Sequence, residues 1–450
     1  MAGEMESPMS VALDETHDAD RQSWVEAANQ ADSDFSIQNL PFCVFRLRGM
    51  PTSGRIGVGI GDQILDAGEA ARAGLLAEAG GAADALLAPT LNLLMGLGPT
   101  VWRRLRRAIS ALLSTDAEPH RRHSAAGMLV PMADVEWLMP ADIGDFTDFY
   151  ASIIHATNIG RLLRPDNPLL LNYKWVPIGY HGRGSSVSIS GTPVVRPQGQ
   201  TKAADASEPS YSPSRRLDFE TELGFFVGQG NALGRPVPIG AASDHVFGVC
   251  LLNDWSARDI QAWEYQPLGP FLAKSFASTV SPFVVTMDAL APFRIPAYAR
   301  PADDPKPLPY LADAQDQASG GLDIRIGVFL ETEKMRRVGQ APHPLAEVRY
   351  SDMYWTIAQL VVHHTSNGCN LRPGDLIGSG TVSSREPGAL GSLMELTQGG
   401  REEIQLPGGE TRIFLEDGDA VIFRAYCKRD GTVRIGFGEC RAMVEAAVAS

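Results

Sequence analysis

The stretch Asn253–Val285 reads NDWSARDIQAWEYQPLGPFLAKSFASTVSPFVV and follows the apolar run Val246–Leu252. A short apolar run is typical of a buried strand, and the loop that follows such a strand is where chemically active side chains are presented. The charged and hydrogen-bonding side chains of the stretch include Asp254, Arg258, Gln261, Tyr265 and Lys274. We expect this group, together with carboxylates from two earlier stretches, to hold a hard metal ion and a hydrolytic site.

The composition excludes several classes of protein. Of the 450 residues, 44% are hydrophobic and 20% are charged, which is ordinary for a folded, water-exposed protein. The net charge of −14 argues against a nucleic-acid partner, because nucleic-acid binding requires a basic face. No apolar run reaches membrane-spanning length, so no membrane association is expected. The five cysteines form no CxxC pair and the N-terminus lacks a basic, apolar signal segment, and both features predict a cytoplasmic location.

The composition and hydrophobic pattern of the chain change twice along its length. Residues 1–31 are rich in Asp, Glu, Ser and Ala and are predicted to form a disordered acidic leader. Residues 32–140 predict a small β-rich domain with helices near 68–88 and 100–114. Residues 141–450 alternate short apolar strands with Gly/Pro turns, which indicates a larger domain that is mostly β with some α.

Two helices carry more detailed predictions. A helix over Asp352–Asn367 is expected to begin after Ser351 as N-cap and to end at Gly368. In the helix near 100–114, the arginines are interpreted as a solvated face. These arginines are Arg103, Arg104, Arg106 and Arg107.

Glu220 and Glu222 lie within Leu217–Val227, which is predicted to be one strand. Side chains two residues apart on a strand share a face, and two carboxylates that close repel each other unless a proton or cation lies between them. A metal site is the favoured interpretation because apolar residues surround the pair. Solvated surface charge and a glycosidase-type acid/base pair are the alternatives, although the latter normally spans opposite sides of a sugar.

Asp254 adds a third carboxylate to this hypothesis, with an exposed loop acid as the alternative. Three carboxylates suit Mg²⁺ or Ca²⁺, which prefer oxygen ligands. Zinc is not supported, since no CxxC or HExxH is present. The segment Asp142–His155 adds further aspartates, Tyr150 and His155, and a lone histidine of this kind is more often structural than catalytic. From the residues alone, the chain is predicted to be a β-rich, carboxylate-metal enzyme.

Long blocks of the chain resemble the fumarylacetoacetate hydrolase family. The blocks are DSDFSIQNLP (32–41), RIGVGIGDQILD (55–66), DFTDFYASIIHATNIG (145–160), GYHGRGSSV (179–187), SGTPVVRP (190–197), NDWSARDIQAWEY (253–265), PLGPFLAKSF (267–276), NGCNLRPGDL (367–376) and DGTVRIGFG (430–438). The block at 55–66 carries the most weight, because shorter relatives in the superfamily usually lack the N-terminal domain.

The resemblance implies an SH3-like β-barrel N-terminal domain, residues 32–140, on a larger mixed β-roll catalytic domain, residues 141–450, working as a homodimer. It implies metal-dependent hydrolysis of the C–C bond of 4-fumarylacetoacetate, a diketo-diacid, to fumarate and acetoacetate in tyrosine and phenylalanine degradation. A related acylpyruvate hydrolase or β-keto acid decarboxylase is the enzymatic alternative. A calcium-stabilised binding protein is the non-enzymatic one.

The resemblance also implies roles for individual residues. The metal ligands for Ca²⁺ and/or Mg²⁺ would be Asp148, Glu220, Glu222 and Asp254, with Lys274 and Ser278 beside them. The catalytic residues would be His155 as base, Glu395 orienting it, and the donors Arg258, Gln261 and Lys274. The substrate contacts would be Tyr150, Arg164, Tyr180, Gln261, Tyr265 and Thr381.

Three positions depart from the family pattern. Ser278 stands where threonine is usual, which keeps the hydroxyl. Ala273 and Ala277 replace glycines around the KSF motif, so the added methyl groups are expected to tighten the loop or to exclude a positive φ.

Overall fold

The computed structural model of the protein describes residues 13–203 and 205–449. The α-helices are Ala67–Arg72, Ala82–Ala85, Asn92–Met95, Pro99–Leu113, Pro119–Ala126, Ile153–Leu163, Arg258–Glu264, Ala314–Ser319, Glu333–Arg337, Ile357–Thr365 and Leu393–Leu396. Within the described residues, no helix combines the length and the hydropathy needed to cross a bilayer.

The alternating apolar residues after Pro41 form a five-stranded antiparallel sheet. In spatial order its strands are Leu129–Pro131, Gln63–Asp66, Arg55–Ile60, Phe42–Leu47 and Val135–Leu138. The two edge strands are joined through Met132–Asp134 alone. The edges of a flat sheet of this size would lie about 19 Å apart, whereas this connection reaches about 14 Å. The sheet therefore curls, which confirms the barrel-like fold predicted for this region.

An eight-stranded sheet forms the centre of the larger domain. Its strands are Gly179–His181, Phe146–Phe149, Leu376–Gly378, Thr221–Val227, Val246–Asp254, Ser278–Val280 and Val187–Ile189 in spatial order, with Val285–Thr286 also paired to Val246–Asp254. The predicted strand Leu217–Val227 is divided, because Leu217–Asp218 pairs instead with Ser256–Ala257.

Both faces of the central sheet are covered. Leu223, Phe225 and Leu251 pack into the core of the larger domain. Phe226 and Leu252, on the other face, pack into the core shared with the N-terminal sheet. Burial on both faces explains why these strands read as continuous apolar runs rather than alternating ones.

A second, five-stranded sheet completes the larger domain. Its strands are His343–Arg349, Arg325–Glu331, Ala420–Cys427, Ile435–Glu445 and Val194–Val195 in spatial order. The remaining two-stranded ribbons are Gln198–Thr201 with Ser210–Pro213, Arg294–Ile295 with Gly321–Leu322, and Ile404–Gln405 with Thr411–Arg412. The predicted class, mostly β with some α, is confirmed.

The helix predictions are partly wrong. The helix near 68–88 breaks into short pieces, because Gly74 and Gly80 adopt positive φ. The helix expected over Asp352–Asn367 spans Ile357–Thr365. Its N-cap is Thr356, whose side chain forms a capping box with Gln359, and not Ser351.

The prediction of a disordered leader is wrong for the part that the structure describes. Residues 13–31 fold onto the helix Pro99–Leu113, where Ser23 Oγ donates to the Leu113 carbonyl at 2.8 Å and Trp24 Nε1 to the Leu112 carbonyl at 2.9 Å. The rest of the predicted leader, residues 1–12, lies outside the described residues. The domain boundaries stay predictions.

Arg106 corrects the interpretation of the helix arginines as solvated. It is 5% exposed and donates to Thr16 Oγ1 at 2.9 Å and to the carbonyls of Asn39 at 2.8 Å and Gln38 at 2.5 Å. Burial lowers its pKa to about 10, which leaves the guanidinium charged at neutral pH. Arg104, on the same helix, is exposed as predicted.

We predict that Arg106→Leu lowers the free energy of unfolding by about 3 kcal/mol, because several buried acceptors lose their donor together. Urea unfolding followed by circular dichroism measures this loss. Arg104→Leu is the matched control and should leave the midpoint unchanged. Equal midpoints for the two variants would show that Arg106 does not anchor the leader.

Candidate active site

The site lies along one face of the central sheet. Side chains of residues paired across neighbouring strands point to the same side. The register pairs Tyr180 with Asp148, Asp148 with Gly378, Gly378 with Gly224, and Asp254 with Ser278. Glu222 is two residues from Gly224 and shares its face. The order of the strands thus brings together residues that are far apart in the sequence.

The four predicted metal carboxylates converge. Asp148, Glu220, Glu222 and Asp254 are buried, and each offers an oxygen that lies within 4.8 Å of those of the others. Gly378 leaves room for them, because a Cβ there would lie 2.3 Å from Asp148 Oδ1. The interpretation of these carboxylates as surface charge, and of Asp254 as an exposed loop acid, is therefore wrong.

Two buried cations reach into the cluster. Lys274 Nζ bonds to Glu220 Oε2, and to Asp254 Oδ2 at 2.6 Å. Arg258 Nη2 lies 2.8 Å from Glu220 Oε1. Burial would raise the pKa of Glu220, but Lys274 and Arg258 outweigh burial and lower it.

The other side of the cluster is short of positive charge. Burial, together with repulsion from Asp254, raises the pKa of Asp148 well above its usual range. Burial, together with repulsion from Asp148 and Asp254, raises the pKa of Glu222 in the same way. Glu222 Oε1 is buried and has no hydrogen-bond partner among the described residues. An orphaned carboxylate oxygen in an all-oxygen cluster fits a hard divalent cation. These four residues could hold such an ion.

His155 stands beside the cluster on the helix Ile153–Leu163. Its Nδ1 bonds to Glu395 Oε2 at 2.6 Å, and its Nε2 lies 3.9 Å from Glu220 Oε1. In the neutral imidazole, Nδ1–H donates this hydrogen bond to Glu395, which leaves the lone pair on Nε2, the nitrogen that faces the carboxylates. Bonding to His155 lowers the pKa of Glu395 although burial opposes this shift.

The predicted substrate residues surround this pair unevenly. The Tyr150 ring packs edge-on against the His155 ring at 5.4 Å. Arg164 ends the helix that carries His155 and is near enough to Tyr150 to counteract the rise that burial causes in its pKa. The Tyr180 hydroxyl donates to Asp254 Oδ2 at 2.7 Å, which makes Tyr180 a partner of a metal carboxylate.

The remaining predicted substrate residues are Gln261, Tyr265 and Thr381. Gln261 accepts a hydrogen bond from Arg258 Nη1 at 3.2 Å through its amide oxygen. Tyr265 is half-buried at the end of the helix Arg258–Glu264. Thr381 is 2% exposed and directly follows Gly380. Gln261 and Thr381 thus lie next to residues that contact the cluster, while the roles of all three stay predictions.

Sequence reasoning missed two groups of residues. The Gly380 N–H donates to both Asp148 Oδ1 at 3.2 Å and Glu222 Oε2 at 3.1 Å. Asn158 and Ser383 donate to Glu395 at 2.9–3.0 Å. Backbone donors leave no mark on side-chain patterns. The signal that was available is the run Gly378-Ser379-Gly380 at the end of the strand Leu376–Gly378, in which Gly380 has a φ of +75°.

The departures from the family pattern are accommodated. The Ser278 hydroxyl donates to Asp254 Oδ1 at 2.9 Å. Leu40 and Gln398 are the described non-glycine residues with positive φ, so neither Ala273 nor Ala277 requires the left-handed region. His363 and His364 are adjacent on the helix Ile357–Thr365 and do not belong to the carboxylate cluster. His364 Nε2 instead bonds to Thr147 Oγ1 at 2.8 Å.

Two family profiles match most of the chain. A family profile described as Fumarylacetoacetase N-terminal matches residues 38–140, and one described as Fumarylacetoacetate (FAA) hydrolase C-terminal matches residues 146–445. Fumarylacetoacetase of Caenorhabditis elegans is 49% identical over 418 residues, covering 92% of this chain and 97% of that protein. Human fumarylacetoacetase is 48% identical over 416 residues, covering 92% and 96% respectively.

One solved structure supports the fold alone. A Mycobacterium smegmatis protein provisionally named HpcE covers 90% of this chain and 99% of its own, with a TM-score of 0.50 and 20% identity. Together, the fold and the carboxylate–histidine site define a hydrolytic enzyme of the class that the sequence predicted. The chain belongs to the fumarylacetoacetate hydrolase family.

We predict that Glu222→Gln has opposite effects with and without metal. In EDTA at pH 8 the variant should melt a few degrees above the wild type, because one repelling charge is gone. In excess Mg²⁺ or Ca²⁺ it should melt below the wild type, because one ligand is lost. Differential scanning fluorimetry measures both differences.

The exposed Glu347→Gln is the control for this comparison and should melt as the wild type does in both buffers. A wild-type melting temperature that neither EDTA nor divalent ions change would exclude a metal at the carboxylates.

Proposed function

We propose that the chain hydrolyses the central C–C bond of 4-fumarylacetoacetate to fumarate and acetoacetate. The observation that carries the proposal is the His155–Glu395 pair, with Nε2 directed at the four-carboxylate cluster. The match of residues 38–140 to the N-terminal domain profile favours this substrate over those of shorter relatives. The diketone chain and the carboxylate at each end of this substrate define what the site must do.

The first task is to activate water. Nε2 of His155 takes a proton from a water molecule, whose hydroxide adds to the carbonyl carbon. Glu395 fixes the imidazole tautomer and stabilises the imidazolium that forms. Asn158 and Ser383 hold Glu395 in turn, so that the base is oriented by a network rather than by a single contact.

The second task is to stabilise the leaving carbon, which keeps the electron pair of the broken bond as an enolate and then takes a proton to give acetoacetate. A divalent ion bound by Asp148, Glu220, Glu222 and Asp254 would supply Lewis acidity at a diketone oxygen. Arg258 and Gln261 supply hydrogen-bond donors, each typically worth about 3–4 kcal/mol in the transition state. Lys274 holds Glu220 and Asp254 in place.

The third task is to orient the substrate. Arg164 would bind one terminal carboxylate, with Tyr150 and Tyr265 beside it. These contacts act equally on the bound substrate and the transition state, so they provide placement rather than polarisation. Thr381 and Tyr180 complete this proposed lining, the latter through its bond to Asp254.

The identity of the ion and the assembly are further parts of the proposal. Both Ca²⁺ and Mg²⁺ suit carboxylate oxygens, so metal analysis of purified protein followed by add-back to the chelated enzyme decides between them. A homodimer is supported by the exposed apolar side chains Leu268, 97% exposed, and Phe271, 67% exposed. Light scattering should give twice the mass of one chain. The cytoplasmic location is supported by the five free cysteines.

We expect fumarylacetoacetate to be consumed with stoichiometric release of fumarate, followed by the loss of diketone absorbance and a coupled fumarate assay. An acylpyruvate and a β-keto acid serve as competing substrates. A higher kcat/KM on either of them would reject fumarylacetoacetate as the substrate. Absence of turnover on all three, with metal bound, would favour the binding-protein alternative.

We predict that His155→Gln lowers kcat by about 10²–10⁴-fold, because the general base is lost, while fumarate still binds in a titration calorimetry experiment. His120→Gln is the control, since His120 is exposed on the helix Pro119–Ala126, and should keep kcat unchanged. Normal turnover by the His155 variant would place the base elsewhere.

A further inference from the structure

Asp218 is a buried carboxylate next to the site that neither binds the proposed ion nor contacts the proposed water. It is 0% exposed and belongs to the two-residue strand Leu217–Asp218. This strand pairs with Ser256–Ala257, which directly precedes Arg258. Backbone pairing therefore sets Asp218 near Arg258.

Both oxygens of Asp218 accept hydrogen bonds from two separate parts of the chain. Oδ2 accepts from Arg258 Nε at 2.8 Å and from the Met394 N–H at 3.0 Å, and Oδ1 accepts from the Leu393 N–H at 2.7 Å. A carboxylate that is held from two directions has one orientation, so the partners on either side are fixed relative to each other.

The first partner leads to the proposed hydrogen-bond donors. Arg258 Nη2 lies 2.8 Å from Glu220, and Nη1 donates to the Gln261 amide oxygen at 3.2 Å. Because Gln261 accepts through its oxygen, its amide nitrogen is the end that can donate to a substrate oxygen. Asp218 thus sets the plane of the guanidinium, and the guanidinium sets the amide.

The second partner leads to the base. Leu393 and Met394 immediately precede Glu395 in the four-residue helix Leu393–Leu396. Glu395 bonds to His155 Nδ1 at 2.6 Å. A shift of this short helix would move the carboxylate that orients the imidazole.

We propose that Asp218 is a positioning residue that holds the Arg258–Gln261 donors and the Glu395–His155 base at a fixed separation. The proposal rests on the proposed function for its effect on turnover. The base acts on water and the donors act on the leaving enolate in the same reaction, so their spacing must match one transition state. A purely structural Asp218 would support the fold without setting this spacing.

The test compares Asp218→Asn with Asp419→Asn. Asp419 is a matched control, because it is also 0% exposed and also accepts from an arginine, Arg412, at 2.8 and 3.0 Å, and from a backbone N–H, that of Glu416, at 2.9 Å. Both changes are isosteric and put an amide N–H₂ against donors. The two variants should therefore lose similar amounts of thermal stability.

Their kinetics should differ. Asp218→Asn should lower kcat by about 100-fold with little change in KM, since a misplacement of about 1 Å has this order of cost. Asp419→Asn should keep the wild-type kcat. In a double-mutant cycle with Arg258→Lys, the combined loss should be smaller than the product of the single losses, because both changes act through the same guanidinium.

A crystal structure of Asp218→Asn supplies a readout that does not need the substrate. Displacement of the Arg258 guanidinium or of Glu395 supports the proposal. A crystal structure in which neither group has moved would overturn the proposal. A kcat equal to that of Asp419→Asn would also overturn it, as would a double variant whose loss in kcat equals the product of the two single losses. A wild-type enzyme inactive on fumarylacetoacetate rejects the proposed function instead, and the variant structure then still decides the role of Asp218. If Asp218→Asn does not fold, Asp218→Ser, which is smaller and keeps an acceptor, takes its place.

Discussion

The mutual repulsion of four carboxylates within a buried space is the constraint on which the rest of the site depends. Asp148, Glu220, Glu222 and Asp254 meet within 4.8 Å, where water cannot screen them. Lys274 and Arg258 offset part of this charge, and Arg258 is shared with Asp218. Two cations against these four carboxylates and Asp218 leave a deficit of positive charge that a divalent ion would reduce. Binding of such an ion would therefore stabilise the cluster and couple function to stability.

The fold provides the rigidity that such a cluster requires. A flexible surface would let the carboxylates separate into water. Here they stand on strands that are buried on both faces, one against the N-terminal sheet and one against the core of the larger domain. Gly378 leaves room for Asp148 and Glu222, and the Gly380 N–H binds the same two carboxylates. The N-terminal sheet contributes by covering one face of the central sheet.

The sequence predicts the parts of the site that depend on side-chain type and spacing. Glu220 and Glu222 share a face at strand spacing, and the family blocks around Asp148, His155 and Asp254 supply the rest. It does not predict features that depend on backbone groups or on distant packing. The N-cap Thr356 was missed because Ser351 is an equally good capping residue by type. Arg106 resembles its exposed neighbours, and its burial follows from the leader that packs across it. The leader itself has a composition typical of disorder. Its order comes from hydrogen bonds that the Ser23 and Trp24 side chains donate to the backbone carbonyls of Leu113 and Leu112.

The division of charges explains how His155 would serve as the proposed base beside four carboxylates. A free carboxylate next to an imidazole would hold the proton that the base must release after each cycle. Glu220 is the carboxylate nearest to His155 Nε2, and it is also the one that both Lys274 and Arg258 engage. Its charge is thus directed away from the imidazole, while Glu395 stabilises the other ring nitrogen. The proposed base and the four carboxylates would therefore remain chemically separate although they are adjacent. Arg258, which pairs with both Glu220 and Asp218, is the group that would keep them so.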